Sequence, residues 1–221
     1  MSNRLMTLFI DVIYYPIGML LLLTNSLRVG GSWRIPRSGP VLLVGNHQSY
    51  LDILMAGLIC RRRVYFMARR SLARNRLLGW IMDWSETAAV DTEGLGRSGL
   101  DAVVSHLQKG RVVVLYPEGQ RTWDGTMGPL KPGVALLIRK VRVPIVPIGV
   151  AGCFEMIPRT SRIWQLAPPF LNCPRARIAI VAGAPIDGNW LGSQSREEIL
   201  HVLTESIATA VNAAERLRGR R

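Results

Sequence analysis

Four short runs of branched and apolar residues constrain this chain most: VLLVG (41–45), RVVVLYPEG (111–119), VPIVPIGV (143–150) and ARIAIVAGAPI (176–186). Each is too short for a typical helix, and each is bounded by glycine, proline or a charge. Such runs read as strands buried on both faces. Between them lie helical patterns: 49–60, 71–84, 98–109, 133–141 and 195–217. RVYFMA (63–68) and TAAVD (87–91) add two further strands. The alternation predicts an α/β fold, a single domain with a central, mostly buried sheet flanked by helices. GGSWRIPRSGP (30–40) is rich in turn formers and reads as a connector. We divide the chain into an N-terminal apolar segment, 1–30, and a domain over 31–221.

The N-terminal segment LMTLFIDVIYYPIGMLLLL (5–23) is apolar but interrupted by Asp11, Pro16 and Gly18. Its unbroken part, Val12–Leu23, would rise about 18 Å as a helix, against a hydrocarbon core of roughly 30 Å. It is too short to span alone. No small-residue cleavage site follows, which argues against a signal peptide. The expectation is a membrane-associated helical element that lies on or dips into the surface, flanked by Arg4 and Arg28. A buried N-terminal helix is the alternative.

Charge points the same way. Lys and Arg number 28 against 15 Asp and Glu, a net +13. That excess favours an anionic partner, a nucleic acid or an acidic membrane surface. Seven arginines fall between 61 and 76. Aromatic residues are not interleaved with the basic runs, so a nucleic-acid module is not expected. Three cysteines, Cys60, Cys153 and Cys173, are widely spaced and form no CxxC. Neither a disulfide framework nor a metal site is expected.

The chemistry gathers after two of the strands. In VGNHQSYLD (44–52), His47 lies in the loop and Asp52 in the first turn of a helix. Ser49 and Asp52 also fit a capping box, so a purely structural role is open. Their position past a buried strand, where open α/β sheets gather their sites, favours a function. An imidazole with a carboxylate partner has a fixed tautomer and can serve as a general base. No G-x-S-x-G motif supplies a nucleophile, so the base would act on a bound acceptor. YPEGQRT (116–122) places Glu118, Gly119 and Arg121 after a second strand, as an anion cradle or as a plain surface turn. Lys131 follows in LKPGVA (130–135).

Together these blocks resemble the glycerolipid acyltransferases. NHQSYLD is similar to NHxSxxD, YPEGQRT to FPEGTRS, and VPIVPIGV to a proline-containing fourth motif. MARRSL…LLGW…AAVD is similar to AKKEL…FFGW…IPVDR. The blocks stand in family order over roughly residues 40–150. The pattern looks most like that of the 1-acylglycerol-3-phosphate acyltransferases. The resemblance implies acyl transfer from an acyl-CoA or acyl-carrier-protein thioester to the hydroxyl of lysophosphatidate, giving phosphatidate. It implies His47 as base, Asp52 orienting it, and Glu118, Gly119 and Arg121 in the acceptor site. Arg69, Arg70 and Lys131 would help hold phosphate. It implies no cofactor beyond the thioester co-substrate, membrane lipids as partners, and the cytoplasmic face of the inner membrane as location. Thr92 stands where the family commonly has arginine, Gln120 where it has threonine, and Thr122 where it has serine. Another lysolipid, such as lyso-ornithine lipid, would suit the same blocks.

A rival class rests on GLGRSG (94–99), which matches the G-x-G-x-x-G dinucleotide fingerprint, with Glu118 nineteen positions on. It would make the chain an oxidoreductase, and it leaves NHQSYLD unexplained.

Overall fold

The computed structural model describes residues 27–69, 88–90, 96–156 and 177–219, with Pro16 and Arg159 as single positions. The expected N-terminal helical element, the helix over 71–84, Arg70 and Thr92 lie outside the described residues. Among those described, no helix is long and apolar enough to cross a membrane.

Seven strands form one sheet. They are β1 (Leu27–Gly30), β2 (Val41–Gly45), β3 (Val64–Arg69), β4 (Ala88–Val90), β5 (Val112–Leu115), β6 (Ile145–Ala151) and β7 (Ile178–Ala182). Their spatial order is β1-β7-β6-β2-β5-β3-β4. Five strands are mutually parallel, as βαβ connections require. β7 runs antiparallel to β6, and β1 runs parallel to β7. Ala151 therefore pairs with Ala179, and Leu27 with the adjacent Ile178.

The expected α/β class is observed. β2, β5, β6 and β7 are buried along their whole lengths, as their unbroken apolar runs predict. Leu27–Gly30 belong to the sheet as its edge strand, and Leu27 is buried in the core. The connector contains one 3-10 turn, Ser32–Arg34, followed by the buried Ile35.

Helices cover both faces. α1 (Leu51–Cys60) buries Met55, Ala56 and Ile59 against Val41, Leu43, Val112, Val114 and Ile148. The opposite face takes α2 (Arg97–Gln108), α3 (Gly133–Val141), α5 (Gly188–Ser193) and α6 (Arg196–Arg218). There Leu42, Val44, Val113 and Leu115 meet Leu107, Leu137, Ile138, Leu191 and Leu203. A short α4 (Cys153–Met156) follows β6.

α6 shows how sequence sets an element. Ile199, Leu203, Ile207, Ala210 and Ala214 recur at helical spacing and are all buried. Ser195 accepts the amide of Glu198 at the start, and Gly219 closes the end with φ 85°. The helix backbone presses on β6. A Cβ at Gly149 would lie 2.1 Å from the carbonyl carbon of Ala210, so only glycine fits.

The basic run does not make one patch. Arg61–Arg63 precede β3 and Arg69 ends it, so the strand separates them by about 20 Å. Arg62 is a structural clasp that donates to the carbonyls of Pro36, Gly39 and Gly110.

Candidate active site

The site lies where the chain divides. After β2 the chain turns to α1 on one face, and after β5 it turns to α3 on the other. β2 and β5 are neighbours, so a crevice opens beyond their carboxyl ends. The loop after β2 carries His47, and the loop after β5 carries Tyr116 to Arg121.

The side chain of Asn46 prolongs β2. It accepts from the amide of Val150 at 2.8 Å and donates to its carbonyl at 2.9 Å. That pair continues the β2–β6 ladder for one step after the backbones diverge. Gln48 does similar work for the next turn, donating to Gly125 O and accepting from Phe154 N.

His47 and Asp52 meet. Nδ1 of His47 lies 2.8 Å from Oδ2 of Asp52. The same oxygen accepts the amides of Gln48 at 2.6 Å and Ser49 at 2.7 Å. Asp52 is fully buried, whereas the His47 side chain keeps 17% of its surface. The capping contact and the His47 contact are thus made by one oxygen of Asp52. It accepts Ser49 N, the carboxylate half of a capping box, and it also holds the imidazole. An ionised Asp52 places the proton on Nδ1 and leaves the Nε2 lone pair free to accept a proton.

Glu118 is buried and faces inward. Oε1 accepts the amide of His47 at 2.7 Å, and Oε2 accepts the amide of Gly128 at 2.8 Å. Burial raises its pKa above the ordinary carboxylate value, while the Gly128 and His47 amides act against that rise. Glu118 is buried and each of its oxygens holds an amide of this chain, an internal tether rather than the exposed strand-end acid that a dinucleotide's ribose needs. Gly119 follows at φ 73° and closes a turn onto Tyr116 O.

The loop that carries Arg121 is fastened to His47. Thr122 N donates to His47 O at 2.8 Å. The Thr122 hydroxyl accepts from Asp124 N and Gly125 N and donates to the Asp124 carboxylate. A serine could make the same bonds, which accounts for Thr122 at a position where serine also serves. Hydrogen bonds from Thr126 and Thr122 hold the Asp124 acid down at about 2.

Arg121 stacks its guanidinium 3.8 Å from the ring centre of Tyr50. Lys131 is exposed beside the same loop, its amide donating to Pro117 O. The backbone of Arg69 ends β3, at the same end of the sheet as His47.

Two side chains at the site were not expected. Tyr116 stacks on His47, with ring centres 4.3 Å apart and planes inclined by 13°. Arg159 lies 3.7 Å over the ring of Trp123 and donates to Arg121 O at 2.7 Å. Tyr116 was visible as an aromatic before Pro117, but nothing in a sequence gives a ring's plane. Arg159 falls outside every motif block.

Neither Cys60 nor Cys153 is poised to react. Cys153 is wholly buried, which pushes its thiol well above the usual range, and the nearby Asp52 adds to this. Burial raises Cys60 to about 11.

Residues 26–151 match the family model described as Acyltransferase, more than half of the chain. The chain belongs to the acyltransferase family. Curated relatives of this acyltransferase include a chloroplastic 1-acyl-sn-glycerol-3-phosphate acyltransferase, BAT2, of Brassica napus. The two are 32% identical over 138 residues, 60% of this chain and 39% of the relative. The 1-acyl-sn-glycerol-3-phosphate acyltransferase of Saccharomyces cerevisiae is 32% identical over 149 residues, 63% of this chain and 47% of the relative. The acyltransferase thus spans less than half the length of these two. Among solved structures, the 1-acyl-sn-glycerophosphate acyltransferase PlsC of Thermotoga maritima superposes with a TM-score of 0.69. It has 22% identity and covers 99% of this chain and 98% of its own. That likeness is one of fold.

Proposed function

We propose that this acyltransferase esterifies the free hydroxyl of 1-acylglycerol-3-phosphate with a fatty acyl group from a CoA or acyl-carrier-protein thioester. One observation carries the reading. A buried carboxylate fixes His47 by Nδ1, and the loop holding Arg121 is hydrogen-bonded to His47 itself. This supports a proton acceptor and a phosphate-binding cation acting at one crevice, as a phosphorylated hydroxyl acceptor requires. The relatives' names support the choice of acceptor.

The reaction needs one proton carried both ways. Nε2 of His47 takes the hydroxyl proton as the oxygen attacks the thioester carbonyl carbon. Asp52 stabilises the imidazolium that results. The tetrahedral intermediate then collapses, the C–S bond breaks, and the imidazolium returns the proton to the leaving thiolate. The products are phosphatidate and a free thiol. Arg121, with Lys131, Arg69 and Arg70, would hold the glycerol phosphate. Glu118 contributes through the His47 backbone, and Gly119 through the turn that aims Arg121.

The acceptor is a lipid, so the enzyme works at a membrane. The apolar N-terminal segment and the +13 charge suit an acidic bilayer surface, the cytoplasmic face of the inner (plasma) membrane in this reading.

The test is acyl transfer in detergent micelles with labelled lysophosphatidate and a fatty acyl-CoA, or acyl-carrier protein in its place. Phosphatidate formed by wild type and lost in a folded His47→Ala variant is the expected result. No product with either donor would remove lysophosphatidate as acceptor. Full activity of His47→Ala would remove the mechanism.

A further inference from the structure

We propose that Tyr116 is a positioning residue for the base: its ring holds the plane of the His47 imidazole and favours its protonated form. The inference rests on His47 being the base of the acyl transfer above. Asp52 grips the imidazole by one edge, through Nδ1. An edge contact alone leaves the ring free to tilt about that bond. Tyr116 closes off this freedom by lying parallel to the imidazole at 4.3 Å. Tyr116 is itself well fixed. It packs against the core of the α1 face, and the Gly119 amide donates to its carbonyl. The imidazole is thus held on one edge and one face, and Nε2 remains open.

The contact also changes during the reaction. The electron-rich face of a phenol ring attracts a cation far more than a neutral ring. His47 is neutral when it meets the acceptor and cationic once it has taken the proton. Attraction to Tyr116 therefore grows along the reaction coordinate, and such a contact lowers the barrier rather than merely tightening binding. The face of the ring supplies this effect, not the hydroxyl. Among the described residues, the charged groups facing His47 are Asp52 from α1 and Glu118 from the loop after β5. Neither is altered by changing residue 116.

The experiment combines kinetics with nitrogen NMR of full-length protein labelled at histidine. The chain has only three histidines, so each signal can be assigned. His106, which has its own tilted contact with Tyr65 at 4.6 Å, and His201 serve as internal controls. Tyr116→Phe should keep kcat within about twofold and leave the His47 titration in place. Tyr116→Leu should lower kcat by about tenfold, with KM within about twofold. In this variant the His47 titration and the acid limb of the pH–rate profile should both move to lower pH, by about half a unit. If Tyr116→Leu does not fold, pentafluorophenylalanine at 116 keeps the shape and reverses the charge of the ring face. It should give the same shift.

An unchanged His47 titration in a folded Tyr116→Leu or fluorinated variant would overturn the proposal. So would equal losses of kcat in the Phe and Leu variants. Failure of the acyl-transfer reading looks different. Wild type would then transfer no acyl group to any lysolipid, while the titration would still report on the stack.

Discussion

The carboxylate of Glu118 accepts the backbone amide of His47 at 2.7 Å and, through its other oxygen, the amide of Gly128. One buried acid therefore joins the loop of His47 to the far side of the loop that carries Arg121. A group so placed fixes where the His47 backbone stands.

Replacing Glu118 with Gln should lower both activity and stability. The amide can accept from one of the two N–H groups but presents its own N–H₂ to the other. The cost should be about 1–3 kcal/mol, read by urea unfolding at pH 7. The pH dependence has a definite sign. Burial raises the Glu118 pKa in the fold, so the folded state binds this proton more tightly than the unfolded chain. Its contribution is fully present below the ordinary carboxylate value and declines as pH rises through the raised one. The stability gap between wild type and Glu118→Gln should therefore shift against wild type over that window. A gap independent of pH would contradict this.

Asp52→Asn tests the two joined roles of that carboxylate. Asparagine can still accept one of the loop amides, but it cannot stabilise an imidazolium. We expect kcat to fall by about 10²- to 10⁴-fold with the fold retained. Circular dichroism beside single-turnover rates distinguishes loss of chemistry from loss of structure. A variant with near-wild-type kcat would limit Asp52 to capping α1.

Arg121→Lys keeps the charge and removes the planar fork that lies over Tyr50. KM for lysophosphatidate should rise about tenfold, with a smaller change in kcat. KM for the thioester donor should stay constant, which makes initial-rate kinetics in both substrates the deciding measurement. A rise confined to the donor would move Arg121 to the other half of the site.

Gly149→Ala should destabilise the protein by about 3 kcal/mol or more, because the new methyl group meets the α6 backbone and neither element can yield. Thermal unfolding reads this directly. Gly39→Ala is the contrast on space, since nothing lies within 4 Å of a Cβ there, although its φ of 75° strains any side chain. A smaller loss at Gly149 than at Gly39 would mean that α6 shifts to make room.

The core of the fold was legible because buried strands carry a strong signal. VLLVG, VVVL and IVPIGV have no other place to go than the middle of a sheet, and each appears there. The helix expected over 195–217 is observed over 196–218, with its apolar residues buried at helical spacing. The misses have physical reasons. β1 is four residues long with Arg28 in it, too little pattern to separate from the turn-rich connector after it. α5 contains two glycines in six residues and owes its existence to packing against α3. The antiparallel direction of β7 leaves no mark in its own residues, because a strand buried on both faces looks alike either way.

The site was half legible. Spacing could bring His47 and Asp52 together only if the first sat in a loop and the second in a helix, and it correctly required both. Glu118 was chosen from the same block as part of the acceptor site, and its two amide contacts cannot be read from YPEGQRT. The Tyr116 stack and the Arg159 contact are relations between distant chain segments, and a linear pattern does not encode them.

The direction of β1 fixes how the rest of the chain is attached. Leu27 pairs beside the end of β6, at the same end of the sheet as His47. Whatever precedes residue 27 is therefore moored at the working end. A mooring at the opposite end would stand a full strand length, about 17 Å, from the crevice. Under the membrane role proposed for the apolar residues before Leu27, a short leash would keep the crevice facing that surface. The proposed lysolipid acceptor would then reach Nε2 by sliding sideways rather than by leaving its own solvent.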